Sequence, residues 1–258
     1  MWDKQLAAAI EAGEYAKREI LDIYKTDFSV EYKSDKTPVT LADKKSDKII
    51  REYLKKKFPE YCFLSEENVD DKKRLDNDFV WIIDPLDGTC NFVKKNDGFA
   101  INIALAYKHK VVVGVVIVPM QNEIYYASLH GGAFLSSKGS VREIHVSRRV
   151  KNLRLLKSRS FHGKNEEAMI AKYGDRIKSQ EFVGASIKAC MIAKGEAELS
   201  FILNGSTKEW DTAASQLIVK EAGGIFIEPH GTWLKYNRNE TNNKNGYIIA
   251  NRRKNIIY

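Results

Sequence analysis

Residues 81–89 read Trp-Ile-Ile-Asp-Pro-Leu-Asp-Gly-Thr (WIIDPLDGT), an apolar run of strand character that ends in two aspartates separated by Pro85 and Leu86. A strand end fixes the backbone and Pro85 restricts it further, so the turn directs Asp84, the Leu86 carbonyl and Asp87 towards one point. Hard divalent cations such as Mg²⁺ take oxygen ligands, and this segment offers oxygen without the imidazole or thiolate that zinc prefers. Gly88 permits close backbone approach, which lets the amides of Gly88 and Thr89 hold a phosphate oxygen beside a cation. The plainer reading of the same residues is an Asp-Pro turn with solvated acids.

Outward from this segment the texture is β-rich: FVWII (79–83), AINIALAY (100–107), VVVGVVIVP (111–119) and EIYYASL (123–129) are runs of strand length, and Gly131 and Gly132 lead into another near Phe134. Upstream, Leu6, Ala9, Ile10, Ala16, Ile20, Leu21 and Tyr24 recur at helical intervals and predict an amphipathic helix over 3–25. A second helix follows a Thr40 cap and ends before Pro59. Helices near 164–173, near 186–195 and after Trp210 precede a strand in GGIFIE (223–228), and the polar run 237–246 reads as a mobile loop. The pattern is a mixed α/β chain without internal repeats. A weak boundary near residue 150 divides an N-terminal part, 1–150, from a C-terminal part, 151–258, and the two can also be counted as one domain.

At 258 residues, with 43% hydrophobic and 29% charged content, the chain has material for a sizeable core. Its apolar runs fall far short of the roughly 20 residues of a membrane-spanning helix. The start, MWDKQLAAAIEAGEYAKREI, mixes acids and bases and lacks the layout of a secretory signal, so a cytoplasmic protein with no membrane partner is expected. Cys62, Cys90 and Cys190 lack the paired spacing of a zinc site or disulfide framework and read as buried, reduced thiols. The net charge of +8 is scattered among acids instead of forming a basic stripe interleaved with aromatics. That pattern argues against a nucleic-acid partner and suits an anionic small molecule.

Four further acidic residues are candidates for chemistry. Glu66 and Glu67 follow the apolar run Tyr61–Leu64, again at a strand end, where the plain reading is an exposed turn. Asp211, in Trp210-Asp211-Thr212-Ala213-Ala214, stands at a helix start, where it either caps the helix or binds a metal held between elements. Asp43 lies in the first turn of the second helix. It either complements the helix dipole there or, hydrogen-bonded to a hydroxyl such as that of Thr89, orients and deprotonates a water.

Taken together and in this order, the Glu66-Glu67 turn, DPLDGT (84–89) and WDTAA (210–214) resemble the inositol monophosphatase superfamily over nearly the whole chain. The resemblance implies the layered αβαβα sugar-phosphatase fold and two or three Mg²⁺ ions, with direct attack of an activated water and lithium sensitivity. It implies metal ligation by Glu66, Asp84, the Leu86 carbonyl, Asp87 and Asp211, water activation by Thr89 and Asp43, and a place for Glu67 one layer behind the metal. Paired cations of this kind lower the pKa of an attacking water and neutralise the leaving oxygen.

Within that superfamily, Val183-Gly184-Ala185-Ser186-Ile187-Lys188-Ala189-Cys190 and Lys36-Thr37-Pro38-Val39-Thr40 look most like the CysQ-type 3′(2′),5′-bisphosphate nucleotidases. In that branch a lysine matching Lys188 contacts a second phosphate, and the similarity also places Ser186, His162 and Lys33 near the substrate. Ala185 stands where the branch often has a phosphate-binding Ser, and 201–204 (FILN) lacks the Arg that commonly packs near the adenine. The expected activity is hydrolysis of 3′-phosphoadenosine 5′-phosphate to AMP and phosphate by a monomer or homodimer. Inositol-phosphate or sugar-phosphate hydrolysis is the alternative, and a non-catalytic anion- or nucleic-acid-binding protein is the alternative from another class.

Overall fold

In the computed structural model, which describes residues 1–33, 36–158 and 163–257, Ala9, Ala12, Ala16 and Ile20 line the buried face of helix α1 (Asp3–Tyr24). A hairpin of β1 (Val30–Tyr32) and β2 (Pro38–Thr40) leads into helix α2 (Leu41–Lys57). Thr40 caps α2 as the sequence predicts: its hydroxyl accepts the Ala42 N–H, and the Asp43 carboxylate returns to the Thr40 N–H.

The β-rich middle forms one seven-stranded sheet, with β3 (Cys62–Ser65), β4 (Phe79–Asp87), β5 (Ala100–Tyr107), β6 (Lys110–Val118), β7 (Glu123–Ser128), β8 (Ala133–Ser137) and β9 (Ser140–Glu143) side by side in chain order. Only the β3–β4 pair is parallel. A short helix, α3 (Thr89–Val93), follows β4. The chain then enters a second sheet through β10 (Leu153–Lys157), α4 (Lys164–Tyr173), β11 (Ile177–Phe182), α5 (Ile187–Ala193), β12 (Leu199–Ile202), α6 (Glu209–Glu221), β13 (Ile225–Ile227) and β14 (Tyr247–Ala250). Its strand order is β11-β10-β12-β14-β13.

The burial of alternate residues on each strand stacks these elements in layers. Trp81, Ile83, Ile101, Ile103, Val113 and Val115 pack on α1 and α2. The opposite face of the same sheet, with Val80, Ile82, Ala104 and Val116, packs on α5 and α6, whose far side meets Leu156, Ile202, Phe226 and Ile249 of the second sheet. Leu153, Leu155, Leu199 and Phe201 then pack on α4 through Tyr173. This is the expected αβαβα order.

Gly114, which interrupts the valine run of β6, is the point where α6 touches the sheet: a Cβ there would fall 2.5 Å from the Ala214 carbonyl oxygen. Gly114→Ala is expected to cost about 2 kcal/mol and to lower the melting temperature by about 5 °C. A thermal scan that superimposes on the wild type would show that α6 moves aside freely.

Three expectations need correction. The run 237–246 is a loop but is pinned, because the buried side chains of Asn237 and Asn243 bond to Arg74 and Thr207, and the Asn237 and Arg238 N–H groups both donate to Glu209. At Asn237 and Asn243 the polar composition reflects hydrogen bonding to buried partners, while Asn239, Glu240, Asn242, Lys244 and Asn245 are exposed. Cys190 is buried, but Cys62 is half-buried and Cys90, in the first turn of α3, is exposed. All three thiols are free. The strand expected to end at Ile83 continues to Asp87, as one added residue disturbs its pairing with β5.

No helix among the described residues is long and apolar enough to cross a membrane.

Candidate active site

That added residue creates the site. Asp84 pairs with Asn102 and Asp87 with Ala100, so three steps along β4 match two along β5. In a regular strand, residues three apart point to opposite faces. The bulge cancels that alternation and brings both carboxylates to the face covered by α5 and α6. From that layer, α6 presents Asp211 as its third residue, with the carboxylate accepting the Lys208 N–H at 2.6 Å. Asp211 is therefore not the N-cap expected of it; Lys208 occupies the cap position, and the carboxylate reaches back to it. One oxygen from each of Asp84, Asp87 and Asp211 lies within 4.8 Å of the other two.

Three acids this close cannot all carry full charge at low cost. Burial, then repulsion from Glu66, Asp87 and Asp211, holds the Asp84 carboxyl well above the usual carboxylate range. Burial, then Asp87 and Glu66, pushes Asp211 up to about 8. Burial raises Asp87 as well, against the pull of Lys188, Asn102 and Ser186. An all-oxygen donor set under strain from its own charge fits a hard divalent cation, whose charge removes the repulsion.

Around this cluster stand the other acids read from the sequence. Gly88 turns the chain with φ +93°, and a Cβ there would meet the Gly98 carbonyl at 2.9 Å, so the turn requires glycine. It delivers Thr89, whose hydroxyl lies 2.9 Å from Asp43 Oδ1 and 3.1 Å from the Leu86 carbonyl oxygen. The other Asp43 oxygen accepts the Thr40 N–H at 2.7 Å and its hydroxyl at 2.6 Å. Asp43 thus serves the helix start and faces Thr89 at once. Burial raises its carboxyl, and these hydrogen bonds oppose the rise.

Glu66 lines the same cavity but stands outside the three-carboxylate group. Lys33 bridges it, 3.0 Å from Glu66 Oε1 and 2.6 Å from Glu67 Oε1. Burial works against that ammonium, but the two glutamates outweigh it and raise it above the ordinary lysine value. Burial also pushes Glu67 up to about 7, against Lys33. Lys33 is therefore held by acids here.

The loop before α5 closes the cavity from the C-terminal side. Gly184 lets it dock, since a Cβ there would fall 2.3 Å from Asn91 Nδ2 and 2.6 Å from the Gly98 carbonyl. The Ser186 N–H donates to Asp87 Oδ2 at 2.6 Å, and its hydroxyl donates to Asn102 Oδ1 at 2.7 Å. Lys188 is only 4% exposed and donates to the Ala185 carbonyl at 2.7 Å, which excludes a solvated helix charge. Burial lowers its ammonium to about 8, against the attraction of Asp87 and Asp211. These groups border one cavity of about 260 Å³, whose inner wall is Ile202, Phe226, Tyr247 and Ile249 of the second sheet. His162 lies outside the described residues.

The model of the inositol monophosphatase family matches residues 1–256. The chain belongs to that family. As a phosphatase of the inositol monophosphatase family it is 33% identical to the 3′(2′),5′-bisphosphate nucleotidase CysQ of Salmonella typhimurium, over 90% of this chain and 93% of that protein. It is 32% identical to an inositol monophosphatase of Mesembryanthemum crystallinum, over 88% of this chain and 86% of that one. The crystal structure of CysQ from Bacteroides thetaiotaomicron superimposes with a TM-score of 0.83 at 31% identity, covering 96% of this chain and 97% of that structure.

Sequence reasoning missed several residues of this family member's site. Asn102 contacts Asp87, Ser46 donates to the Pro85 carbonyl at 2.8 Å, and Asp47 ties Ser65 to Arg51 just ahead of Glu66. A signal was present for Asn102: it is the one amide in the apolar strand AINIALAY, and a buried polar group there needs partners. Ser46 and Asp47 stand on the buried side of α2, where helical periodicity expects apolar residues.

Proposed function

We propose that this chain is a Mg²⁺-dependent phosphatase that hydrolyses 3′-phosphoadenosine 5′-phosphate to AMP and phosphate. The observation that carries the reading is the sharing of one small cavity by Asp84, Asp87 and Asp211 and a buried lysine, Lys188. Mg²⁺ held by those acids, with Glu66 and the Leu86 carbonyl, would supply the positive charge that polarises phosphorus and makes water a better acid. Thr89 donates its hydroxyl proton to Asp43, so as the hydroxyl takes a proton from the attacking water its own passes to the Asp43 carboxylate. The two Thr40 donors keep Asp43 oriented for that exchange. The Gly88 and Thr89 amides bind a non-bridging phosphoryl oxygen, which sets the ester oxygen opposite that water. The P–O bond to that ester oxygen breaks, and the oxygen leaves on the nucleoside and takes a proton from solvent water.

Lys188 supports a bisphosphate substrate, because a buried ammonium inside a cavity is costly unless an anion repays it. The CysQ relatives bear the name of such enzymes. Ala185 and the absence of Arg from 201–204 depart from the nucleotidase pattern and leave room for an altered base or sugar preference. The relative named inositol monophosphatase supports the runner-up reading, a monophosphate of inositol or a sugar.

A substrate panel on one preparation separates the two. The expected order of kcat/KM puts 3′-phosphoadenosine 5′-phosphate above inositol 1-phosphate and fructose 1,6-bisphosphate, and a clear lead for inositol 1-phosphate reverses the assignment. Lys188→Ala should raise KM for the bisphosphate by about tenfold or more and for a monophosphate far less, since a charged hydrogen bond to the non-reacting phosphate is lost. Equal losses on both would remove Lys188 from substrate selection.

A further inference from the structure

Asn102 is 1% exposed in the middle of β5, where every other residue of the strand's inner length is apolar. Its amide is used at both ends. Nδ2 donates to Asp87 Oδ2 at 3.1 Å, and Oδ1 accepts the Ser186 hydroxyl at 2.7 Å. The Ser186 N–H closes the circuit on the same Asp87 Oδ2 at 2.6 Å. Three residues, from β4, β5 and the loop before α5, thus form a closed ring of hydrogen bonds.

The ring removes two freedoms. The ionised Asp87 carboxylate only accepts, so the Asn102 NH₂ must face it, and the Ser186 hydroxyl, able to donate or accept, donates to the oxygen left on the other side. Two donors on one carboxylate oxygen then stop the Asp87 side chain from rotating. We infer that Asn102 is a positioning residue for cation binding: it aims the Asp87 carboxylate and registers the C-terminal loop against the N-terminal sheet. The inference rests on the reading of Asp87 as a cation ligand. A ligand held in its binding orientation before the cation arrives avoids the cost of ordering it, and partners behind metal ligands commonly govern affinity by about 10–100-fold.

Asn102→Asp tests this with almost no change of shape. It keeps the acceptor for Ser186 and, measured at a pH where the new acid is ionised, replaces the donor to Asp87 by an oxygen. Mn²⁺ binding to the chelator-treated protein, followed by electron paramagnetic resonance, is expected to weaken by about 10–100-fold. Ser186→Ala, which keeps the N–H bond and releases the amide, is expected to weaken it by roughly 3–10-fold, with Ser186→Thr restoring it. The double variant Asn102→Asp with Ser186→Ala should be no weaker than Asn102→Asp alone, because both act through one ring.

A purely structural role for Asn102 would lower the melting temperature and leave Mn²⁺ affinity at the wild-type value, and that result overturns the inference. Should Asn102→Asp fail to fold, the Ser186→Ala and Ser186→Thr pair decides alone: wild-type Mn²⁺ affinity in Ser186→Ala overturns it. A wild-type protein that binds no Mn²⁺ removes the cation reading beneath it, an outcome distinct from tight wild-type binding with unaffected variants.

Discussion

Asp87→Asn is expected to lower kcat/KM by about a thousandfold or more, roughly 4 kcal/mol of transition-state stabilisation, while the protein remains folded. The side chain keeps its size, and its oxygen can still accept from Asn102 Nδ2 and the Ser186 N–H. What is lost is one negative charge from a cluster of three whose oxygens lie within 4.8 Å. An amide oxygen is a weaker partner for a hard cation than a carboxylate, so the cation is held less tightly and in a changed place. Asp211→Asn should behave likewise, with the added loss of the ideal acceptor for the Lys208 N–H. Phosphate release measured against Mg²⁺ concentration, beside a thermal scan of each variant, separates ligand loss from unfolding. Undiminished turnover by either folded variant would remove that residue from the ligand set.

The second large effect concerns the metal-free protein. Asp84 and Asp211 are raised in the folded state, Asp211 to about 8 from an ordinary value of 3.8, by burial and by their neighbours. A carboxyl raised by folding binds more protons in the folded than in the unfolded chain between those two values. Its destabilising effect is therefore complete above the folded pKa and absent below the unfolded one. Chelator-treated protein should accordingly become more stable as pH falls from about 8 towards 4, opposite to the usual trend. Lys188 does not alter this window, because it is protonated in both states below about 8. Asp70, lowered to about 2 against its burial by Arg74 and Lys72, loses its contribution only below the window. Saturating Mg²⁺ should raise stability most at the alkaline end and flatten the dependence. Melting temperatures across this range, with chelator and with Mg²⁺, check the sign, and Asp84→Asn should abolish much of the slope. A metal-free protein whose stability falls steadily over the same range would contradict the clustering of unpaired charge.

The mixed α/β pattern was legible because its evidence is local, and its layering was legible through the family resemblance. The helical spacing in 3–24, the Thr40 cap and the strand-length apolar runs each express a preference of a few neighbouring residues, and each appears where expected. The β4 bulge was not legible: Pro85 and Leu86 suggested a turn after the strand, whereas pairing with β5 keeps Asp87 in the ladder. Of the two roles left open for Asp211, the N-cap fails for a related reason, since cap and third position differ by where the backbone enters the helix and not by residue type. The 237–246 loop followed the same rule, its buried Asn237 and Asn243 being polar because Arg74 and Thr207, far away in the chain, receive their side chains.

Composition and periodicity by themselves determined the mixed α/β pattern and the acidic, oxygen-only character of the site, because side-chain chemistry and periodicity are properties of short segments; the order of motifs carried the family resemblance, and the αβαβα layering came through that resemblance. Only the tertiary structure decided that Asp84 and Asp87 share a face, that Lys188 is buried beside them, that Lys33 is held by Glu66 and Glu67, and that Asn102 joins Asp87 to Ser186. Those are relations between segments far apart along the chain. They are settled by strand register and layer packing, and the cost of leaving a buried charge or amide without a partner selects among the arrangements that packing allows.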